Sequence, residues 1–214
     1  MLNFENLDKA LYYSDTKYQV PILDRLEPSD DEIEKIKKVE WIPFSSANAN
    51  KDRQGKGIHF FIDDYRFIRV WNTPDRYVDM LKQYEYILTP DFSTYRDMPL
   101  AMQIYNTYRK QWVGKYYQDK GIKIIPTISW STPASYEWIF DGIPTHSIVA
   151  ISTLGCLKDK RATELFYEGW RVAYRTLQPE VVLCYGKIPD RLDGNVIEMG
   201  TYKFFNSKEN QKEQ

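Results

Sequence analysis

Cysteine and histidine are scarce in this chain. Its 214 residues include two cysteines and two histidines, whereas small secreted domains held by disulfides are dense in cysteine. The few cysteines and histidines do not have the spacing of ligands in a structural zinc site. The scarcity therefore predicts a protein of a reducing compartment, without a disulfide framework and without zinc.

Long apolar runs and an excess of charge of one sign are also lacking. No apolar stretch approaches the ~20 residues that a membrane-spanning helix needs, and no signal peptide is visible. Lysine and arginine total 29 against 30 aspartates and glutamates, a formal net charge of −1. This balance argues against a globally basic protein that binds nucleic acid through charge alone. We predict a cytoplasmic protein with no membrane partner.

The common cofactor motifs are missing as well. No G-x-G-x-x-G sequence follows a predicted strand, and Gly55-Lys56-Gly57 lacks the spacing of a P-loop. H-E-x-x-H and G-x-S-x-G are also absent. The sequence therefore carries no signature for a nicotinamide, flavin or haem cofactor.

Aromatic residues, by contrast, are abundant. The chain has 17 tyrosines, 10 phenylalanines and 6 tryptophans, and 43% of its residues are hydrophobic. This composition is typical of a globular protein, and the length suits one domain with a substantial core.

The first part of the chain differs from the rest. Ser29 followed by Asp30-Asp31-Glu32 has the form of a capping box and predicts a short helix from about Asp30 to Lys38. Residues 45–57 are polar and predict a loop, either a plain connection or a mobile segment over a site. We predict an N-terminal extension with this loop in residues 1–57, an α/β domain in 58–205 and a frayed tail in 206–214.

Strands alternate with helices from Ile58 onward. The long helix that Pro99 opens and the amphipathic helix from Ala162 to Leu177 are the clearest. This alternation predicts an α/β fold with a mostly parallel sheet built from repeated β-α-β units. An open sheet and an incomplete barrel remain alternatives, since eight units do not fit in the chain. The predicted strands are Ile58–Ile62, Tyr86–Thr89, Ile122–Ile128, Ser147–Ser152, Val181–Tyr185 and Val196–Met199.

Acidic residues follow the first two strands of this series. Ligands of parallel α/β folds bind at the carboxyl ends of the strands, so Asp63, Asp64, Asp91 and Asp97 are candidate catalytic residues. Clustered carboxylates hold a divalent cation such as Mg²⁺, or shift one another's pKa values for acid–base work. The alternative is that each aspartate caps a turn or helix, or pairs with a nearby arginine. Asp91 is the best single candidate because Pro90 fixes its approach.

Polar and aromatic side chains near the same strand ends are candidates for positioning a substrate. Arginine and a metal-holding carboxylate cluster suit a phosphate group. These candidate substrate-binding residues are Tyr65, Arg66, Ser93, Tyr95, Arg96, Asn106 and Trp130.

The long helix carries an aromatic stripe with basic residues beside it. Such a stripe is either the core face of the helix or a surface on which single-stranded nucleic acid stacks. The stripe consists of Tyr105, Tyr108, Trp112 and Tyr116, flanked by Arg109, Lys110 and Lys115.

Several blocks of this sequence are distinctive and are spread from about Trp41 to Gly186. They are HFFIDDYRF at 59–67, TPDFSTYRDMP at 89–99, IPTISW at 125–130, FDGIP at 140–144 and ISTLGC at 151–156. In these blocks the chain resembles an uncharacterised family, domain of unknown function 4417, which is found in Firmicutes, their phages and mobile elements. The resemblance implies a phage or mobile-element setting, and hence a host cytoplasm, but no established activity, cofactor or catalytic residue.

Two functions follow as hypotheses. The first is an enzyme that acts on a nucleotide, a nucleic-acid end or a phosphorylated metabolite, in a carboxylate-lined pocket at the strand ends that also suits Mg²⁺. The second is a non-catalytic accessory protein that binds a host protein or single-stranded nucleic acid. The sequence does not specify the oligomeric state.

Overall fold

The computed structural model describes residues 9–200, which form an α/β fold. Every strand pairing in this part of the chain is parallel. The strands are β1 (Glu40–Pro43), β2 (Lys56–His59), β3 (Tyr86–Leu88), β4 (Ile124–Ile125), β5 (Ile148–Ser152), β6 (Val181–Tyr185) and β7 (Val196–Glu198). The helices are α1 (Asp30–Ile36), α2 (Phe44–Ala47), α3 (Asp64–Phe67), α4 (Arg69–Asn72), α5 (Val78–Leu81), α6 (Leu100–Asp119) and α7 (Lys160–Leu177), with 3-10 turns at Pro74–Tyr77 and Pro133–Ser135.

The strands lie side by side in the order of the chain. One sheet has the order β1-β2-β3-β4 and the other β5-β6-β7. A parallel bridge between Thr127 and Ala150 joins the two sheets, and the Ala150 amide donates to the Pro126 carbonyl at 2.8 Å. The rings of His59 on β2 and Tyr185 on β6 also meet, with centroids 4.4 Å apart. The prediction of a mostly parallel, open α/β arrangement is confirmed, and residues 9–200 contain no closed barrel.

Hydrophobic strands form the centre of the molecule. All five residues of β6 are buried, and so are the first four of β5. Uninterrupted burial of this kind is expected of a parallel strand that is covered on both faces. None of the helices in the described part of the chain is long and apolar enough to cross a membrane.

The N-terminal region agrees in part with prediction. The Ser29 hydroxyl accepts from the Glu32 amide at 3.3 Å, so α1 begins where the capping box predicts. The prediction of a loop throughout 45–57 is wrong at both ends, because α2 extends to Ala47 and β2 begins at Lys56. β1 pairs with β2; the division of the chain at residue 57 stays a prediction. The predicted tail, 206–214, lies outside the described residues.

Proline shortens two other predicted elements. The predicted strand Ile122–Ile128 consists of β4 and the separate bridge at Thr127, since Pro126 between them has no N–H to donate to the ladder. Thr73-Pro74 offers a cap and a proline at the first helical position and predicts a helix there, but Pro74–Tyr77 is a 3-10 turn that continues into α5. The predicted strand Ile58–Ile62 also ends early, at His59.

Candidate functional site

The loops after β2, β3, β4 and β5 surround a cleft with two lobes. Lobe A, of about 540 Å³, is bounded by the β2 loop and includes Ile62, Asp63 and Arg66 in its wall. Lobe B, of about 430 Å³, is bounded by Arg96 and the start of α7. The lobes share a wall made of Asp91, Thr94, Tyr95, Ser129, Trp130, Ser152, Leu154 and Cys156. The cleft therefore lies at the carboxyl ends of the parallel strands.

Asp91 stands in the shared wall beside a buried lysine. The preceding loop is fixed because Thr89 and Thr127 exchange two hydrogen bonds, of 2.8 and 3.0 Å. Lys110, on α6, is 1% exposed. Its Nζ lies 3.8 Å from Asp91 Oδ1 and donates to the Ser129 hydroxyl at 2.8 Å. Asp91 Oδ1 is itself buried and accepts no hydrogen bond from the described residues.

Burial shifts the pKa values of both members of this pair. It raises the pKa of the Asp91 carboxyl, with the Lys110 charge acting in the opposite direction. It lowers the pKa of the Lys110 ammonium, and there the Asp91 charge opposes the shift. Both pKa values are thus shifted towards the neutral range, from opposite sides, and a pKa in that range favours general acid–base work.

Asp64 fixes the neighbouring loop. Its carboxylate accepts from the Ser93 hydroxyl at 2.8 Å and from the Ser93 amide at 3.2 Å. The side-chain amide of Asn106 donates to the Ser93 carbonyl at 2.5 Å, and Arg109 Nη2 lies 4.0 Å from Asp64 Oδ2. Asp64, Ser93 and Asn106 therefore act on the shape of the loop that carries Asp91.

The other two candidate aspartates lie apart from this network. Asp63 is exposed and forms an ion pair with Arg66 at 3.5 Å, as the local alternative predicts. Asp97 is exposed and lies in the wall of lobe B. Within residues 9–200 no three histidine, cysteine, aspartate or glutamate side chains form a group that could hold a metal ion. The assignment of the four aspartates to catalysis stays a prediction.

Five of the candidate substrate-binding residues lie in the walls of the cleft. The residues that line one lobe or both are Arg66, Ser93, Tyr95, Arg96 and Trp130. Tyr65 is 71% exposed next to them.

Trp130 also packs against α7, since its Nε1 donates to the Leu165 carbonyl at 3.1 Å. A Cβ atom on Gly169 of α7 would overlap the Trp130 indole, so glycine is what permits this close approach.

Sequence reasoning missed Lys110 as a site residue. The residue appeared as a charged neighbour of the aromatic stripe, yet its side chain is the one that reaches Asp91. The signal that marks it is a second stripe, of polar residues at helical spacing, on the same helix. This polar stripe of α6 is Gln103, Asn106, Thr107, Lys110 and Gln111, all buried.

The aromatic stripe of α6 and the cysteine of the cleft, Cys156, have surroundings that suit a structural role. Trp112 is 1% exposed and stacks on Tyr116 at 5.1 Å, while Tyr105 and Tyr108 are partly buried against the core. Burial raises the pKa of the Cys156 thiol to about 11, which disfavours a nucleophilic thiolate near neutral pH.

The chain is similar to two proteins of mycobacteriophages. It is 40% identical over 178 residues to the Gene 1 protein of Mycobacterium phage L5, covering 80% of this chain and 78% of that protein. It is 38% identical over 178 residues to the Gene 1 protein of Mycobacterium phage D29, covering 80% of this chain and 66% of that protein.

No solved structure matches the chain. The family model Domain of unknown function (DUF4417) matches residues 12–203. The chain therefore belongs to this family, as its sequence blocks indicate.

Proposed function

We propose that this protein is an enzyme that acts on a nucleotide or a similar small phosphorylated metabolite bound in the cleft. Asp91 exchanges a proton with the ligand, and the Lys110 ammonium beside it acts on the charge of the carboxyl. The observation that carries the proposal is Asp91 in the wall that both lobes share, with the buried Lys110 Nζ 3.8 Å from its Oδ1.

An ion pair of this kind costs free energy, because its charges are removed from water. Removing a carboxylate and an ammonium from water costs several kcal/mol for each ion, and hydrophobic residues of the same volume often serve stability equally well. Titratable groups with perturbed pKa values in a cleft are typical of functional sites. The pair therefore supports a chemical role, to which its contribution to loop structure is secondary.

The remaining charges of lobe B favour a phosphate group. Arg96 and Lys158 both line this lobe, and neither forms an ion pair with the described residues. Asp159 at the same end already accepts from the Ala162 amide at 2.8 Å, capping α7. The Ser131 hydroxyl in the wall is buried and has no partner within residues 9–200, so a ligand oxygen could satisfy it.

The alternative of a non-catalytic nucleic-acid binder receives less support. It depended on the aromatic stripe of α6 being exposed, and Trp112 at the centre of that stripe is buried. Bases cannot stack on a ring that already packs in the core.

Ligand-induced thermal stabilisation tests the proposal. The panel consists of nucleoside mono-, di- and triphosphates, inorganic phosphate and pyrophosphate, each with and without Mg²⁺. A ligand present at a hundredfold excess over its Kd stabilises the fold by about 2.7 kcal/mol, which raises the Tm measurably. We expect at least one nucleotide to do so, and the ligand found is then used as substrate to measure turnover.

Charge-removing variants locate the ligand. Arg96→Ala and Lys158→Ala should each reduce the stabilisation, whereas Lys82→Ala should not, because Lys82 is exposed before β3 at the opposite end of the strands. Lys110→Met should abolish turnover of the ligand. The proposal is wrong if no compound of the panel raises the Tm, or if Arg96→Ala and Lys158→Ala behave like Lys82→Ala.

A further inference from the structure

The two lobes of the cleft meet at the proposed acid–base pair. Each lobe alone has a volume within the ~300–1,000 Å³ of a typical small-ligand pocket. Asp91 belongs to the wall that they share rather than to the far end of either. A ligand made of two similar units would therefore occupy both lobes and present the link between its units to Asp91.

A tyrosine followed by an arginine accompanies each lobe. Tyr65 and Arg66 come after β2, and Arg66 lines lobe A. Its Nε donates to the Tyr65 hydroxyl at 3.1 Å, and its guanidinium lies 5.5 Å from the ring centroid. Tyr95 and Arg96 come after β3; Tyr95 lines both lobes and Arg96 lines lobe B.

Both tyrosines present their rings to solvent. Tyr65 is 71% exposed and Tyr95 is 65% exposed, unlike Trp112 and the partly buried tyrosines of α6. Exposed aromatic rings on which bases stack, with cations beside them for the backbone phosphates, are the means by which proteins hold single-stranded nucleic acid. The repeat of one ring and one cation suits a polymer with one base and one phosphate per unit.

We infer that the ligand of this cleft is the end of a single-stranded nucleic acid. Its terminal nucleotide lies in lobe B, where Arg96 and Lys158 face a terminal phosphate and α7 closes the lobe. The adjoining nucleotide lies in lobe A, and its base extends to Tyr65, which is exposed beside Arg66 and outside the lining of the lobe. The phosphodiester between the two nucleotides faces Asp91 in the shared wall. This inference rests on the proposed function and specifies its substrate class.

Calorimetric titration with ligands of increasing length tests the inference. The probes are thymidine monophosphate, the 5′-phosphorylated thymidine dinucleotide, an eight-nucleotide thymidine strand and a blunt duplex. The dinucleotide should bind about tenfold more tightly than the mononucleotide, since stacking one base contributes about 1–3 kcal/mol. The longer strand should gain little more, and the duplex should bind more weakly than either strand.

Variants of lobe A separate the two units. Tyr65→Ala and Arg66→Ala should each weaken dinucleotide binding several-fold to about tenfold and leave mononucleotide binding unchanged. Tyr95→Ala should weaken both, because Tyr95 lines both lobes. Tyr13→Ala is the matched control: Tyr13 is 88% exposed on the N-terminal segment, whereas the exposed Tyr65 directly precedes Arg66, which lines lobe A.

The outcomes distinguish this inference from the proposed function. If mononucleotides bind but the dinucleotide binds no more tightly, or Tyr65→Ala behaves like Tyr13→Ala, the inference is wrong and the proposed function stands. If the dinucleotide binds and depends on both tyrosines, the inference is correct whether or not the mononucleotide is detected. If no probe binds and no nucleotide stabilises the fold, both are wrong.

Discussion

The two long helices of this protein are similar in length and differ in what they bury. α7 has 18 residues, and its buried face is hydrophobic apart from one glycine: Leu165, Phe166, Gly169, Trp170, Ala173 and Leu177. α6 has 20 residues and buries the polar stripe defined above together with Trp112, Val113 and Tyr117. The same solvent is excluded from both faces, but at very different electrostatic cost.

The partners of the polar stripe explain the difference. The amide of Gln103 donates to the Met98 carbonyl at 2.8 Å, Asn106 donates to Ser93, and Lys110 donates to Ser129. These acceptors lie in the irregular segments after β3 and β4, where the backbone has no ladder to satisfy it. α7 is therefore held by burial of apolar surface, whereas the polar side chains of α6 hold the loops that form the cleft.

The largest expected effect comes from breaking the buried pair on the α6 side. Lys110→Met should lower the free energy of unfolding by about 4 kcal/mol, because it leaves the Asp91 carboxyl without its counter-charge in a buried wall. Urea denaturation measures the loss. The double variant Asp91→Asn/Lys110→Met should recover part of it, and a loss in the double variant equal to the sum of the losses in Asp91→Asn and Lys110→Met would show that the pair is not coupled.

The matching test on α7 is a cavity in its apolar face. Leu177→Ala should lower the free energy of unfolding by about 3 kcal/mol, since Leu177 is 2% exposed and the truncated side chain leaves unfilled volume. Stabilisation by a bound nucleotide should be unaffected, because Leu177 does not line the cleft. A loss of nucleotide binding in this variant would contradict the division of labour between the helices.

A smaller effect on the free energy of unfolding is expected from His59, a buried residue whose side chain titrates. Burial lowers the pKa of His59 to about 3, and its Nε2 has no hydrogen-bond partner within residues 9–200. Below pH 6.5 the unfolded chain takes up a proton that the folded chain does not bind. The free energy of unfolding should therefore fall by about 1.4 kcal/mol per pH unit from this group, or about 2 kcal/mol between pH 6.5 and 5.

His59→Phe isolates this contribution. The variant keeps the ring contact with Tyr185 and removes the titrating group, so its stability should decline less steeply with falling pH than that of the native chain. Urea denaturation at several pH values gives the two slopes. Identical slopes would mean that His59 is protonated in the folded protein.

The sequence predicts the strands well because their signal is local. Runs such as Val181–Tyr185 are apolar throughout and begin with two β-branched valines, and their length is that of a buried strand. The rule that ligands bind at the carboxyl ends then locates Asp91, Tyr95 and Arg96 in the walls of the cleft. The boundaries that failed lie at Pro74 and Pro126, where the effect of proline depends on what the neighbouring strand or turn supplies.

Lys110 could not be identified from the sequence for a physical reason. α6 carries two stripes with helical spacing, one aromatic and one polar, and general burial preferences assign the aromatic stripe to the core and the polar one to solvent. The helix lies between the core and the cleft loops, so both stripes are buried. The sequence also does not decide which aspartates pair locally and which reach a distant loop. Asp63 pairs with Arg66 three residues away, while Asp64 reaches Ser93 on another loop.

The packing of Trp130 against Gly169 affects the size of the cleft, although Gly169 itself does not line it. A single methyl group at position 169 would overlap the Trp130 indole, which lines both lobes, and a shift of the ring away from α7 would carry it towards the cleft. The size of the cleft thus depends on the residue at position 169 of α7, which lies behind the Trp130 side chain. A change of ligand size in a related protein could arise from this one hidden position while every residue in contact with the ligand stayed the same.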